Sequence, residues 1–237
     1  TLGVFQAEKS PSTKLIVKMG VDNFSDLVIS NALVRPGAWN AIGEDYLKAK
    51  KKGKGVKVHD DVSYFMDDTF GYPIYQEQMM KLSIDLAGFT VVESNGLRRG
   101  IGKKKKEIVD SYKKQFVDGA SKKIDKKVAE KIWKSMEEAA AYAFPKAHAV
   151  VYSLLSYQTA WLKLHYPLEF MCALMRNEKD KDVITDYLLE CKAMGITIKL
   201  PHINYSGPHF QVEGDALRMG LGNVKYLSPL LAERIIK

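Results

Sequence analysis

The sequence predicts a mainly α-helical protein. Apolar residues recur at helical spacing through most of its 237 residues, and residues that start and stop helices bracket those runs. β-branched alternation is confined to a short stretch after Gly195, and no internal repeat interrupts the pattern.

In chain order, Ala32-Leu33-Val34-Arg35-Pro36-Gly37 reads as a helix end entering a turn, with Arg35 at its edge. Residues 48–57, KAKKKGKGVK, are basic and glycine-containing and read as an exposed loop or flexible arm, as such runs are usually just solvated. Pro73 sits as the first-turn proline of a helix with Tyr75, Met79, Leu82 and Leu86 on one face and Gly88 as its stop. Asp125 caps a helix whose face is Val128, Ile132, Met136, Ala139 and Ala143. Residues 149–165 carry Val151, Leu154, Leu155, Trp161 and Leu162, apolar almost all round, which predicts a buried helix. Pro167 starts another helix through Met171 and Met175, and residues 183–194 give a further one, ended by Gly195. From Ile196 the style changes. Ile196-Thr197-Ile198 and Phe210-Gln211-Val212 read as short strands or extended linkers around a loop at 202–208, and a last helix starts near Ser228. A domain boundary is placed near residue 198.

The net charge of +8 is concentrated. Residues 97–134 hold 14 Lys and Arg against 5 Asp and Glu, a net +9, so the remainder is near neutral. A basic segment on a neutral body is the pattern of a polyanion binder, and equally of a solvated lysine-rich helical surface; charge alone leaves both open. Two cysteines without a CxxC pair argue against a disulfide framework or a zinc site and fit a reducing cytoplasm. No window approaches 18 uninterrupted apolar residues. The chain begins with Thr1 and closes on an apolar periodic run at 230–237, which reads as a piece of a longer polypeptide.

Residues 96–106, GLRRGIGKKKK, form a compact cationic element. Arginine forks suit phosphate oxygens, and glycines let backbone approach a phosphate. It is no Walker A loop, because five residues separate Gly96 from Gly102-Lys103 and Lys104 stands where Ser or Thr belongs. A surface charge run is the other reading. Lys146 and His148 precede the nearly all-apolar helix, with Tyr152 four residues beyond the histidine. Polar groups at a buried helix N-terminus can hold an anion or a base edge. Taken alone they read as a satisfied structural histidine and a lysine snorkelling from the core. Gln76, Glu77 and Gln78 read as surface cover on an amphipathic helix. Asp60-Asp61 and Asp67-Asp68 are adjacent pairs in loop, and neighbours on a strand point to opposite faces, so neither suits a two-metal site.

Set in order, these motifs resemble the alpha subunits of bacterial DNA polymerase III, the family C replicative polymerases. The succession runs Gly3-Val4-Phe5-Gln6, Arg35-Pro36-Gly37, Gly71-Tyr72-Pro73-Ile74-Tyr75-Gln76-Glu77-Gln78, Leu86-Ala87-Gly88-Phe89-Thr90 and Leu97-Arg98-Arg99-Gly100. It continues with Phe144-Pro145-Lys146-Ala147-His148, Ser156-Tyr157-Gln158-Thr159-Ala160-Trp161-Leu162-Lys163 and His165-Tyr166-Pro167-Leu168-Glu169-Phe170-Met171. The resemblance implies a helical fingers domain over residues 1–197, then a short extended segment and the start of a helix-hairpin-helix module over 198–237.

It further implies part of a DNA-directed DNA polymerase, a nucleotidyltransferase. Arg98 and Arg99 match the arginines that engage the triphosphate of an incoming dNTP, and Lys146, His148 and Tyr152 a stretch that closes on the nucleotide. Arg35 and Gln78 match further pocket positions. Lys103, Lys104, Lys105, Lys106, Lys51 and Lys52 would face the primer–template DNA. The primer hydroxyl attacks the α-phosphorus in line, and Mg2+ is held by a palm that lies outside this chain, so the fragment alone is expected to be inactive. A sliding clamp and other replisome proteins are the partners of the whole polymerase. The competing class is a non-catalytic DNA-binding or assembly protein on the same scaffold. Two departures stand out: Phe-Pro-Lys-Ala-His follows one branch of the family and Arg-Arg-Gly the other. At the hairpin, where the family carries Gly-hydrophobic-Gly, this chain has Tyr226-Leu227-Ser228, which removes the glycines that let backbone amides approach a DNA phosphate.

Overall fold

Helices form wherever capping side chains meet an apolar stripe, and two compact units result. The computed structural model describes residues 1–55, 64, 66–103 and 106–236, without the side chains of 101, 102 and 106. One unit is Ser10–Leu154; the other joins Thr1–Lys9 to Leu155–Lys237. The expected division near residue 198 follows motif content, whereas these units follow packing.

The larger unit runs α1 (Ser10–Met19), α2 (Phe24–Leu33), α3 (Pro36–Ala38), a π-helical turn (Trp39–Gly43), α4 (Glu44–Lys52), a 3-10 turn (Asp67–Thr69), α5 (Gln76–Asp85), α6 (Val91–Gly102), α7 (Lys106–Ala120) and α8 (Lys126–Ala140). The first half of α9 (Lys146–His165) completes it. Asn23 opens α2 by accepting from the Asp26 amide at 2.9 Å, and Asp125 opens α8 by accepting from the Lys127 amide at 2.8 Å. Thr90 and Glu93 exchange bonds as a capping box at the start of α6. The core is aliphatic with an aromatic spine, Phe89 to Phe116 at 6.3 Å and Phe116 to Trp133 at 5.3 Å between ring centroids.

Four local expectations give way here. Residues 48–52 belong to α4, because Tyr46, Leu47 and Ala49 are buried and Lys50 pairs at 2.6 Å with the buried Asp26; Gly53, in the left-handed region, ends the helix. Val56 and Lys57 lie outside the described residues. Pro73 precedes its helix by three residues, since the backbone at Ile74–Gln76 bonds to Phe144 instead: Phe144 N donates to Ile74 O and Gln76 N to Phe144 O, both 3.0 Å. Gly96 and Gly100 sit inside α6 and face α7. A Cβ added to them would lie 2.3 Å from Tyr112 Oη and 2.8 Å from Ile108 Cγ2, so their role is close helix packing.

The fourth is α9, predicted buried. Its buried residues are the small Ala149, Ser153 and Ser156, while Val151, Leu154, Leu155, Trp161 and Leu162 are exposed. Residues 149, 153 and 156 form one stripe at helical spacing. Asn31 Nδ2 on α2 reaches Ser153 Oγ at 2.6 Å. Small residues permit that close approach, and the bulky side chains then point away.

The second unit carries the rest of α9, α10 (Pro167–Asn177), α11 (Lys181–Ala193), β1 (Thr197–Lys199), β2 (Gln211–Glu213), β3 (Ala216–Arg218), a 3-10 turn (Leu221–Asn223) and α12 (Pro229–Ile236). Pro167 occupies the first turn of α10, Asp180 caps α11, and Gly195 follows α11 in the left-handed conformation, as their residue types predict. The sheet order is β1-β3-β2: Ile198 pairs with Leu217 in parallel and Val212 with Leu217 antiparallel. Strand β3 falls between the two stretches read from sequence as extended and the last helix, within residues 198–237. Met171, Met175, Tyr187, Cys191, Phe210 and Leu217 form this unit's core. Among the described residues no helix is long and apolar enough to cross a membrane.

Candidate functional site

The entry to α9 gathers most of the predicted site residues. Lys146 is its first residue, fixed from the backbone: its amide donates to Glu77 Oε2 at 2.8 Å. Its exposed ammonium stands 3.7 Å from Asp68 Oδ2 and 5.4 Å from the centre of the Tyr75 ring. His148, in the first turn of α9 and exposed, packs on Tyr152 with centroids 4.1 Å apart and ring planes 33° apart. Its edge meets Phe144 at 5.2 Å and 82°. On Phe144 the Arg35 guanidinium lies 4.4 Å from the ring centre, and Arg35 Nη2 donates to the Tyr142 carbonyl. The series Arg35, Phe144, His148, Tyr152 is therefore a continuous column of flat groups, with an ammonium at its side. Burial lowers the pKa of Arg35 and raises that of the Tyr75 hydroxyl.

Gln76 and Gln78, expected on the surface, are buried and hold this entry in place. Gln78 Oε1 accepts from the amides of Ile74 at 2.9 Å and Tyr75 at 2.8 Å, and its Nε2 donates to Thr69 Oγ1 at 2.8 Å. Gln76 Nε2 donates to Ala143 O at 3.3 Å. Glutamine suits the task because one side chain supplies two acceptor sites and two donors.

Arg98 and Arg99 lie on α6. Arg98 is half-buried and its Nε donates to Asn95 Oδ1 at 3.0 Å, one turn back; Arg99 is exposed. Helices α5 and α6 are joined by five residues, 86–90, and Ser94 Oγ bonds to Met80 O and Ser83 Oγ at 3.1 Å each. They form an antiparallel hairpin, so the arginine half of α6 runs back toward the start of α5, where Gln76 and Glu77 hold residues 143–146.

Of the lysines expected to face DNA, Lys51 and Lys52 are exposed in the last turn of α4, and Lys103 is exposed just after α6. Lys104 and Lys105 lie outside the described residues, and Lys106 opens α7. Lys113, Lys114, Lys122, Lys126, Lys127, Lys131 and Lys134 extend an exposed basic face over α7 and α8. Sequence reading missed Asp68, Glu77, Tyr75 and Phe144 as neighbours of the site. Tyr75, Glu77 and Phe144 were legible as parts of quoted motifs, whereas Asp68 was weighed only as half of an acidic pair and set aside as a metal ligand. Asp60 and Asp61 lie outside the described residues, and among the described ones no group of three or more His, Cys, Asp or Glu is placed to hold a metal ion.

Residues 1–124 match the bacterial DNA polymerase III alpha subunit finger domain, and residues 195–237 match a helix-hairpin-helix motif. Among similar proteins is a DNA polymerase III subunit alpha of Saccharopolyspora erythraea, 36% identical over all of this chain and 20% of its own length. Others carrying that name, from Thermus aquaticus and Bacillus subtilis, are 35% identical over all of this chain and 20% and 21% of theirs. The chain thus spans about a fifth of the length of the relatives it matches.

Proposed function

Because the chain belongs to the bacterial DNA polymerase III alpha subunit finger-domain family, we propose that it is the fingers portion of a DNA-directed DNA polymerase, binding the incoming dNTP and primer–template DNA. The observation that carries this reading is the entry to α9, where the exposed Lys146 ammonium stands beside the stacked His148–Tyr152 pair. An ammonium and an aromatic face are the two chemistries a nucleotide needs, one for phosphate and one for base.

In this reading Arg98 and Arg99 offset charge on the β- and γ-phosphates as pyrophosphate leaves, where planar forks match phosphate oxygens. Lys146 adds a point charge by exchanging its long contact with Asp68 for a phosphate oxygen. Arg35 and Gln78 serve the pocket by holding residues 142–144 and 74–75 in place. Lys51, Lys52 and residues 103–106 face DNA phosphates, which position the duplex without reading its sequence. Residues 1–197 would form the fingers and 198–237 the linker and start of the helix-hairpin-helix module. The described residues do not fit a Mg2+ site. Metal binding, clamp and replisome contacts, and a cytoplasmic location belong to the whole polymerase in the same proposal, and the chain alone would be inactive.

The test is binding of fluorescent primer–template DNA across a salt series, wild type beside Arg98→Ala/Arg99→Ala. The reading expects sequence-independent binding that weakens steeply with salt, retained by the double variant, while the same variant in the full polymerase raises KM for dNTP. No DNA binding even at low salt, or equal dNTP kinetics, would sink it.

A further inference from the structure

Among the described residues Tyr226 is the most exposed large hydrophobic side chain of the second unit, at 89%, and its backbone is left-handed, with φ +70°. That conformation is strained for any residue with a Cβ, and solvent exposure of a tyrosine ring offers no burial to offset it. The ring is not bare: Lys225 Nζ lies 4.8 Å from its centre. The left-handed residue serves the turn before α12, where Leu227 N donates to Val224 O at 3.0 Å, but the exposed ring and the ammonium beside it take no part in that bond.

A second exposed aromatic group lies in the same unit, on the loop that precedes β2. His202 and Tyr205, both exposed, stack with centroids 4.5 Å apart at 32°. Asn204 N donates to His202 Nδ1, and His202 N to Ser206 Oγ, so the loop is fixed from within. Ser206 Oγ donates to Met219 O at 2.8 Å, Leu221 N to Gly207 O at 2.8 Å and Gly222 N to Pro208 O at 3.0 Å. These bonds tie the loop to the run that reaches Lys225-Tyr226 three residues later. Charge is scarce here. Residues 195–237 hold 5 Lys and Arg against 3 Asp and Glu, and Lys199 and Arg218 are both engaged by Glu213. That pairing holds the Glu213 carboxyl at about 2, well below the usual range, chiefly through the Arg218 hydrogen bond.

We infer that the exposed rings of this unit, the Lys225-Tyr226 tip and the His202–Tyr205 pair, form stacking sites for unpaired bases of single-stranded nucleic acid. Every base has a π face, so aromatic platforms bind single strands with little dependence on sequence, and one lysine can meet a neighbouring phosphate. Low net charge separates this mode from the duplex contact proposed for residues 97–134: stacking, not phosphate neutralisation, would supply the affinity. Where glycines would let backbone amides reach a duplex phosphate, this chain keeps the left-handed turn and spends it on a ring. The inference leans on the proposed function only in taking the partner to be nucleic acid.

The experiment is fluorescence anisotropy of a labelled oligo(dT) of about 15 nucleotides with the chain and its Tyr226→Ala, Tyr226→Phe, Tyr226→Gly and Tyr205→Ala variants. Tyr226→Ala and Tyr205→Ala should each weaken binding about five- to a hundredfold, the range of one lost base stack. Tyr226→Phe should bind as wild type. Tyr226→Gly should bind as poorly as Tyr226→Ala yet melt at a higher temperature, because glycine relieves the strain. Duplex affinity should not change. Unaltered oligo(dT) binding by Tyr226→Ala, or a Phe variant as weak as Ala, overturns the inference; so does equal loss for duplex, which assigns the tip to phosphate contact. Primer–template binding without oligo(dT) binding removes this inference and leaves the proposed function standing. Tyrosine-dependent oligo(dT) binding without primer–template binding does the reverse.

Discussion

A single glutamine shows how the candidate site is held. Gln78 satisfies the amides of Ile74 and Tyr75, and through them the bridge between Tyr75 and Phe144 that delivers Lys146 and His148 to the head of α9. Replacing it with leucine fills the same space and strands the Tyr75 amide in a buried setting, while Ile74 N keeps the Tyr72 carbonyl at 3.0 Å. A stranded donor costs about 1–3 kcal/mol, so Gln78→Leu should lower unfolding free energy by about 1–3 kcal/mol in urea titration. A loss under about 0.5 kcal/mol, the size of an ordinary surface change, would mean the network is not what positions the entry. The sequence placed Gln78 in a quoted motif, yet its polarity pointed to the surface. Burial of an amide follows only when its partners are known, and those partners, Thr69 and the 74–75 backbone, lie three to nine residues earlier in a stretch that carries no periodic signal.

At the scale of elements, caps and stops were legible because they act over a few residues: Asp125, Gly88 and Gly195 all sit where their chemistry predicts. What packs against what was not. Glycines 96 and 100 read as points where backbone could approach a phosphate, or as part of a surface charge run, but they sit inside α6 and α7 closes on their bare Cα atoms. Helix α9 inverts the rule that apolar composition means burial, because the small-residue stripe, not the bulky face, is what the fold covers. This yields a paired prediction. Ala149→Leu, at a position with 0% exposure, should destabilise the chain by about 1–3 kcal/mol through overpacking, while Leu164→Ser, at 75%, should stay within about 0.5 kcal/mol. Thermal melts of both variants check it; a larger loss for the serine variant would show that the bulky face is the packed one.

Over the whole molecule, charge is divided more sharply than structure. A +9 segment spans 97–134, and the remainder sums to −1. The sequence left open whether that segment is a solvated face or a polyanion site, and exposure of its lysines is compatible with either. What the fold adds is their grouping: Lys113, Lys114 and Lys122 lie on or just after α7, the helix that packs on arginine-bearing α6. If these lysines neutralise duplex phosphates, each contact contributes about 0.9 to the slope of log affinity against log salt. Changing all three to glutamine should then lower that slope by up to about 2.7 for primer–template DNA. The same triple variant should leave oligo(dT) binding at the Tyr226 tip unchanged, since that affinity comes from stacking. Arg98→Ala/Arg99→Ala gives the opposite control, because arginines reserved for a triphosphate should leave the duplex slope alone. A triple variant with an unaltered slope would reduce residues 97–134 to a solvated surface and move the duplex contact to Lys51 and Lys52 or to parts of the polymerase beyond this chain.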